Sequence, residues 1–532
     1  MTSELLGRKL TNDLNYHFER TFRHQFVLSP KKLVIPEFNH RRIGARNLYT
    51  CPDLPVCEIL NQTGEEIGLL LGYAVDSDGT FIKDKVYLSL PTKRADAPAA
   101  IQSFLAGLAG RHVALVHLRG SKTVSRIYPD TASSLSFVYD PKTKIVASSL
   151  LLCLNRNIEP NEYFGLPASV YTCKGLSPFL PEKNPELCDG VFNFGHTPDR
   201  HVMRIMPNHY LDLKSFETCR YWPMHEIAVD LEVEEAAAII VDRLRLITQG
   251  LFTNLDGYFS ISGGRDSRVL LACAPGAETS RMRLHTYATN WMTTLDVKIA
   301  EAMADSVDQE LIVQIPAGGP KGSYFPRPKR SARYAQRFAL SSGLTGIGDD
   351  WWRRGYAKGL DNGAIWARGN FLEILTARFW PRKNLNEANS LLHLMGRVGV
   401  GIHDERDRMR KLGFLEDWVN SFNAPIEGNL HDLSYQELAL SSTQPIFYGL
   451  NEQFYIGPAS DRVVFETAMR VAPRVRKNSE LYDEVLRQSN AALLELPLAK
   501  QIVFQARKAN VGPEMLLDER LEAYRTKHNI SN

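Results

Sequence analysis

Short runs rich in β-branched and aromatic residues crowd the first 220 positions: "GLLLGYAVD", "HVALVHLRG", "VSRIYP", "SLSFVYD" and "KIVASSLLLCL". Gly, Pro, Asp and Lys punctuate them, the pattern of strands in a layered antiparallel domain. Among them, "DAPAAIQSFLAGLAGR" carries helical spacing instead. The text changes around "RIMPNHYLDLKSFETCRYWPMHE", which sets a boundary near residue 225. Beyond it, "VEEAAAIIVDRLRLITQGLF" repeats its apolar positions at steps of three and four and predicts a long amphipathic helix. Strands and helices then alternate: "GYFSIS", a helix from Asp266, "RLHTYAT", "LDVKIAEAMADSV", "ELIVQIP". That alternation predicts a parallel, doubly wound α/β sheet. From about residue 370 helical periodicity dominates, in "NFLEILTARFW", "EANSLLHLMGRVG", "DRVVFETAMRVA" and "SELYDEVLRQ". Two domains follow, residues 1–225 and 226–532, the second ending in a helical part.

Composition narrows the class. With 532 residues, 44% apolar and 23% charged, the chain has room for several domains of ordinary globular character. A net charge of +3 at this length argues against nucleic acid or an acidic membrane surface as partner. No apolar run approaches the roughly 18–20 residues that span a bilayer, so no membrane insertion is expected. The opening "MTSELLGRKLTNDLNYHFER" is charged and lacks a signal-peptide core, so a cytoplasmic location is expected. The seven cysteines lie between Cys51 and Cys273 with no CxxC pair or metal-ligand spacing, which reads as free buried thiols.

Candidate chemistry concentrates in "SISGGRDS". In an open parallel sheet, ligands bind beyond the carboxyl ends of the strands. Gly263 and Gly264 allow a tight turn and a close backbone approach. The helix start beyond them presents N–H groups to an anion, and Ser262 and Ser267 add hydroxyls. Asp266 repels a phosphate unless a cation lies between, and Mg²⁺ meets that need. The stretch is neither a GxxxxGK[ST] loop nor GxGxxG. A simple Gly-Gly turn with Ser and Asp as helix caps is the alternative.

Ser262-Gly263-Gly264-Arg265-Asp266-Ser267 resembles the SGGxDS pyrophosphate loop of the ATP-pyrophosphatase superfamily, in the branch of asparagine synthetase, β-lactam synthetase and lasso-peptide cyclase. "LTGIGDDWWRRGY", residues 344–356, resembles that branch's second glycine-rich loop. "MPNHYLDLKSFETCRYWP" and "GPASDRVVFETAMRVAP" resemble its entry segment and its late helix, and "GRHVALVHLRG" with "YPDTASSLSFVYD" its glutaminase-domain strands. The likeness spans about residues 65–500. It implies an Ntn-hydrolase-like first domain and an ATP-pyrophosphatase second domain, with ATP and Mg²⁺ as cofactors. Ser262, Gly263, Gly264 and Ser267 would cradle the β,γ-phosphates, and Arg265 could reach phosphate or a substrate carboxylate. Asp266 and Asp350 would hold Mg²⁺, and Thr345 and Gly346 would lie near the AMP portion. The implied reaction adenylates a small-molecule or peptide carboxylate and passes the acyl group to an amine.

Departures set the subtype. Glutamine-dependent members need an N-terminal cysteine; here the chain begins Met1-Thr2-Ser3 and its first cysteine is Cys51. A degenerate, non-hydrolytic glutaminase-like domain is therefore expected, serving as scaffold or recognition surface. Ile347 stands where asparagine synthetases carry Glu and β-lactam synthetases Tyr, and isoleucine moves no proton. Asp349 is one substitute; Glu373, in "WARGNFLEILTARFW", is the preferred base, against a solvated charge or an ion pair with Arg368 or Arg378. A lysine near the C-terminal helices neutralises the reacting phosphate in this branch; Lys477 is nearest by position, with Lys500 behind it, against plain surface lysines. The amine could be intramolecular, as in lasso-peptide or β-lactam closure, free ammonia, or ammonia from a separate glutaminase. A silent nucleotide-binding partner in a biosynthetic complex is the non-enzymatic alternative, and a partner protein or homodimer stays open.

Overall fold

The computed structural model describes residues 4–92, 96–118, 124–159, 161, 192–288, 290–315, 332–343, 360–381, 391–397, 405–449 and 451–530. Up to Arg220, two sheets pack face to face. The first has six antiparallel strands, in the order Met203–Arg204, Val138–Asp140, Ile145–Ala147, Phe26–Ser29, Arg46–Thr50, Asn39–Ile43. The second has seven: Thr218–Arg220, His209–Asp212, Val124–Pro129, Ala109–Leu118, Glu66–Val75, Val56–Asn61 and Lys85–Leu88, the last pair parallel.

Side-chain alternation builds four layers. Phe26 and Leu28 of one sheet meet Leu69, Leu71, Val113 and Leu115 of the other in a shared core. Val27 faces outward, into a cluster with Leu6 and Leu151 from the helices Leu6–Asp13 and Leu150–Cys153. Leu70, Ala114 and Val116 face outward beneath the helix Ala97–Ala106. Both faces are covered over the central strands, which read as unbroken apolar runs, whereas the edge strands Asn39–Ile43 and Lys85–Leu88 keep exposed polar positions. "KIVASSLLLCL" is not one strand: it forms Ile145–Ala147 and then the helix Leu150–Cys153. Between them Ser148 Oγ accepts from Phe26 N at 2.8 Å and Ser149 Oγ donates to Gln25 Oε1 at 2.6 Å, which turns the chain.

The second half centres on five parallel strands, ordered Leu311–Gln314, Met282–Tyr287, Gly257–Ser260, Ile365–Arg368, Phe454–Ile456. The first strand in sequence is central, and the winding reverses between Gly257–Ser260 and Ile365–Arg368, where a ligand crevice forms. The expected helix appears as Val233–Phe252. "NFLEILTARFW" departs from its helical periodicity and forms only a 3₁₀ turn, Leu372–Thr376, bracketed by left-handed Phe371 (φ 79°) and Ala377 (φ 43°). Tertiary contacts override the local preference. The Phe371 ring fills the space beside Gly457, where a Cβ would lie 2.1 Å away. Arg476 Nη1 donates to Ile374 O at 3.0 Å and Lys477 Nζ to Ala377 O at 3.0 Å. Such strained turns persist only when their surroundings hold them.

Arg243, on the Val233–Phe252 helix, ties the halves together. It donates to Asp461 Oδ2 at 2.9 and 2.8 Å and to the carbonyls of Asp76, Ser77 and Gly107 at 3.0, 2.8 and 2.8 Å. Among the described residues no helix is long and apolar enough to cross a membrane. The five described cysteines are unpaired, and all but Cys219 are buried. Burial pushes the Cys51 thiol up, the opposite of an activated nucleophile.

Candidate functional site

The loop 262–267 leaves the carboxyl end of the central strand and enters the helix Asp266–Ala272. It is internally bonded: Ser262 N donates to Ser267 Oγ at 3.0 Å, and Gly264 N to Ser262 Oγ at 3.3 Å. Its two glycines serve different ends. A Cβ on Gly263 would stand 2.8 Å from Asp296 Oδ1 and 3.0 Å from Ile299 Cδ1, so the helix Trp291–Asp305 packs directly on the loop. Among the described residues a Cβ on Gly264 would meet only Ser262 Oγ, at 3.1 Å, so none of them closes that side of the loop.

Across the reversal point, the strand Ile365–Arg368 ends in Gly369. A Cβ there would lie 2.3 Å from Ser267 N and 2.7 Å from Asp266 C, so the two strand ends touch through backbone alone. The chain then carries Glu373 to Asp266. Burial, and next the neighbouring Glu373, hold the Asp266 carboxyl well above the usual range; Arg378 and Arg265 pull the other way. Tyr435 Oη donates to Glu373 Oε2 at 2.5 Å, and burial followed by the Glu373 charge pushes that phenol well up. Tyr435 opens a π-helical turn, Tyr435–Leu440, an irregularity frequent at functional sites.

Two adjoining carboxyls repel when both are ionised, and a divalent cation at Asp266 removes that penalty. Hard carboxylate oxygens suit Mg²⁺, so this part of the donor set is compatible with the ion expected from the resemblance. Among the described residues no group of three or more ligating side chains forms.

The other sequence candidates are distributed as follows. Arg265 sends its guanidinium over the Tyr482 ring, 5.2 Å from the centroid. Lys477 donates to the carbonyls of Ala377 and Arg378, at 3.0 and 3.2 Å, and so holds the segment that carries Glu373. Lys500 is the lysine whose charge reaches the loop's flank. Burial raises Asp296, beside Gly263, to about 6, and Lys500 and then Arg268 counter it. Arg268, beside these candidates, is 2% exposed and donates to the carbonyls of Leu493, Leu496 and Pro497 at 3.2, 2.6 and 2.8 Å. Thr345, Gly346, Ile347, Asp349 and Asp350 lie outside the described residues.

Sequence reasoning missed Gly369, Asp296 and Tyr435. A glycine directly after a strand, in "IWARGN", was the available signal for the first. Tyr435 offered none, because its partner is 62 residues away. Comparison with protein-family models and with curated proteins finds no match.

Proposed function

We propose that the chain is an ATP- and Mg²⁺-dependent ligase that adenylates a substrate carboxylate and transfers the acyl group to an amine. The observation that carries this reading is the meeting, at the reversal point of the parallel sheet, of the loop 262–267 with the Asp266–Glu373 carboxyl pair. A substrate carboxylate oxygen attacks the α-phosphorus; the bond to the β-phosphate breaks and its electron pair leaves with pyrophosphate. The amine nitrogen then attacks the acyl carbon, the bond to AMP breaks, and the nitrogen gives up a proton. The loop, unobstructed beside Gly264 by any described residue, would admit the polyphosphate to its amides. Asp266 would hold Mg²⁺, which offsets charge on the leaving pyrophosphate. Glu373, fixed by Tyr435, is the proton acceptor within reach of that crevice. Lys477 and Arg476 keep its backbone in place.

The test is exchange of labelled pyrophosphate into ATP with Mg²⁺ and a panel of carboxylates. Exchange dependent on one carboxylate supports the reading, and Asp266→Asn should abolish it. Wild-type exchange in Asp266→Asn refutes the metal role. ATP binding without exchange for any carboxylate would point instead to a silent nucleotide-binding partner.

A further inference from the structure

A cleft of about 690 Å³ opens between the helix Ala97–Ala106, the irregular segment 221–230 and the helix Arg462–Met469. The Asp266–Glu373 site contributes no residue to it. Arg462 and Glu466 both line it, one helical turn apart. Arg462 is 5% exposed; its Nη2 donates to Asn208 Oδ1 at 2.7 Å, while Nε and Nη1, both enclosed, meet no acceptor at ordinary hydrogen-bond geometry among the described residues, the Tyr221 phenol being the polar group near the guanidinium. A buried guanidinium with two enclosed N–H groups short of a well-placed acceptor is costly to maintain unless something else accepts from it. Glu466, half-buried, feels the Arg462 charge but takes neither of those N–H groups. The next cation along the helix, Arg470, is already matched, donating to Asp230 at 2.7 and 2.9 Å. The Trp222 ring lies 3.8 Å from the Arg462 guanidinium carbon, and Met224 and Ala106 extend the apolar wall.

An unsatisfied cation and an anion about 5–6 Å apart at their Cβ atoms, beside an aromatic wall, are the complement of a small zwitterion. We infer that this cleft is a second binding site, for an apolar α-amino acid: carboxylate on Arg462, ammonium on Glu466, side chain against Trp222 and Met224. The carboxylate displaces the half-buried indole from the guanidinium, so Trp222 reports the event. The site stands independently of the adenylation reading.

The test is calorimetric and fluorescence titration of the full chain with L-leucine, L-methionine, L-phenylalanine and L-tryptophan (the last by calorimetry alone), beside phenylacetate and phenethylamine. At least one amino acid should bind saturably, and the two single-charge analogues of phenylalanine should bind about tenfold or more weakly than it. Glu466→Gln should weaken binding about tenfold, Trp222→Phe should remove the fluorescence change but not the heat, and Asp266→Asn should leave both unchanged. Ala106→Trp, which fills the cleft from the Ala97–Ala106 helix and keeps both charges, should abolish binding in a protein with wild-type melting. No saturable binding of any amino acid, or full binding in Glu466→Gln and Ala106→Trp, overturns the inference.

Discussion

Replacing Gly369 by alanine adds one methyl group where the two central strand ends touch. Its Cβ would stand 2.3 Å from Ser267 N, 2.4 Å from Ser267 Cα and 2.7 Å from Asp266 C. All three are backbone atoms, so no side chain can swing aside. The loop end and the strand end must part by about 1 Å to restore ordinary contact. Overpacking of this kind costs about 1–3 kcal/mol of stability. Its larger effect is on the site, because a misplacement of about 1 Å can cost about 100-fold in rate. Gly369→Ala should therefore remain folded, with a lowered melting temperature, and lose about two orders of magnitude in carboxylate-dependent pyrophosphate exchange. Gly413→Ala is the matched control: it lies inside the helix Glu405–Asn420 with no described residue beyond its own helix backbone within 4 Å of the new Cβ. It should gain about 0.5–1 kcal/mol in stability and keep full exchange. Exchange and melting in Gly369→Ala that match wild type would show that the contact does not position the loop.

Arg268→Lys should destabilise by about 2–4 kcal/mol in urea titration, because one ammonium at a single point cannot span the carbonyls of Leu493, Leu496 and Pro497, at the end of the helix Glu480–Glu495, that two guanidinium nitrogens now join; a loss below about 0.5 kcal/mol would refute that clamp. Burial lowers His24 to about 3 and His112, His196, His209 and His285 to about 4, so in an NMR titration these five rings should keep neutral-imidazole shifts at pH 5. The unfolded chain takes up those protons near 6.5, so this source of stability is complete above pH 6.5 and drains as pH falls toward 4. Asp296, raised to about 6, and Asp266, held well above the usual range, are protonated earlier in the folded state and oppose the loss; five rings outweigh the two carboxyls, and a urea midpoint that does not fall between pH 7 and 5 would contradict the balance.

Much of the scaffold was readable from the sequence. The Val233–Phe252 helix and the strand, glycine turn and helix around 257–272 matched their patterns because periodicity and turn chemistry are local. Local pattern also called for a helix over "NFLEILTARFW", and there it failed. Gly457, Arg476 and Lys477 act on that segment from about 80 to 100 residues away, and they hold it as a short turn between two left-handed residues. The lysines likewise could be ranked only by position along the chain. In space Lys477 holds the Glu373 segment, whereas the charge of Lys500 reaches Asp296 at the loop.

The sequence by itself determined that a glycine turn with two serines and one carboxylate stands at a strand end. Only the tertiary structure decided that Glu373 stands beside Asp266, that Tyr435 fixes it, and that Gly369 sets the gap between strand ends. Those relations depend on the winding of the parallel sheet, which joins residues far apart in the chain and leaves no periodic trace in it.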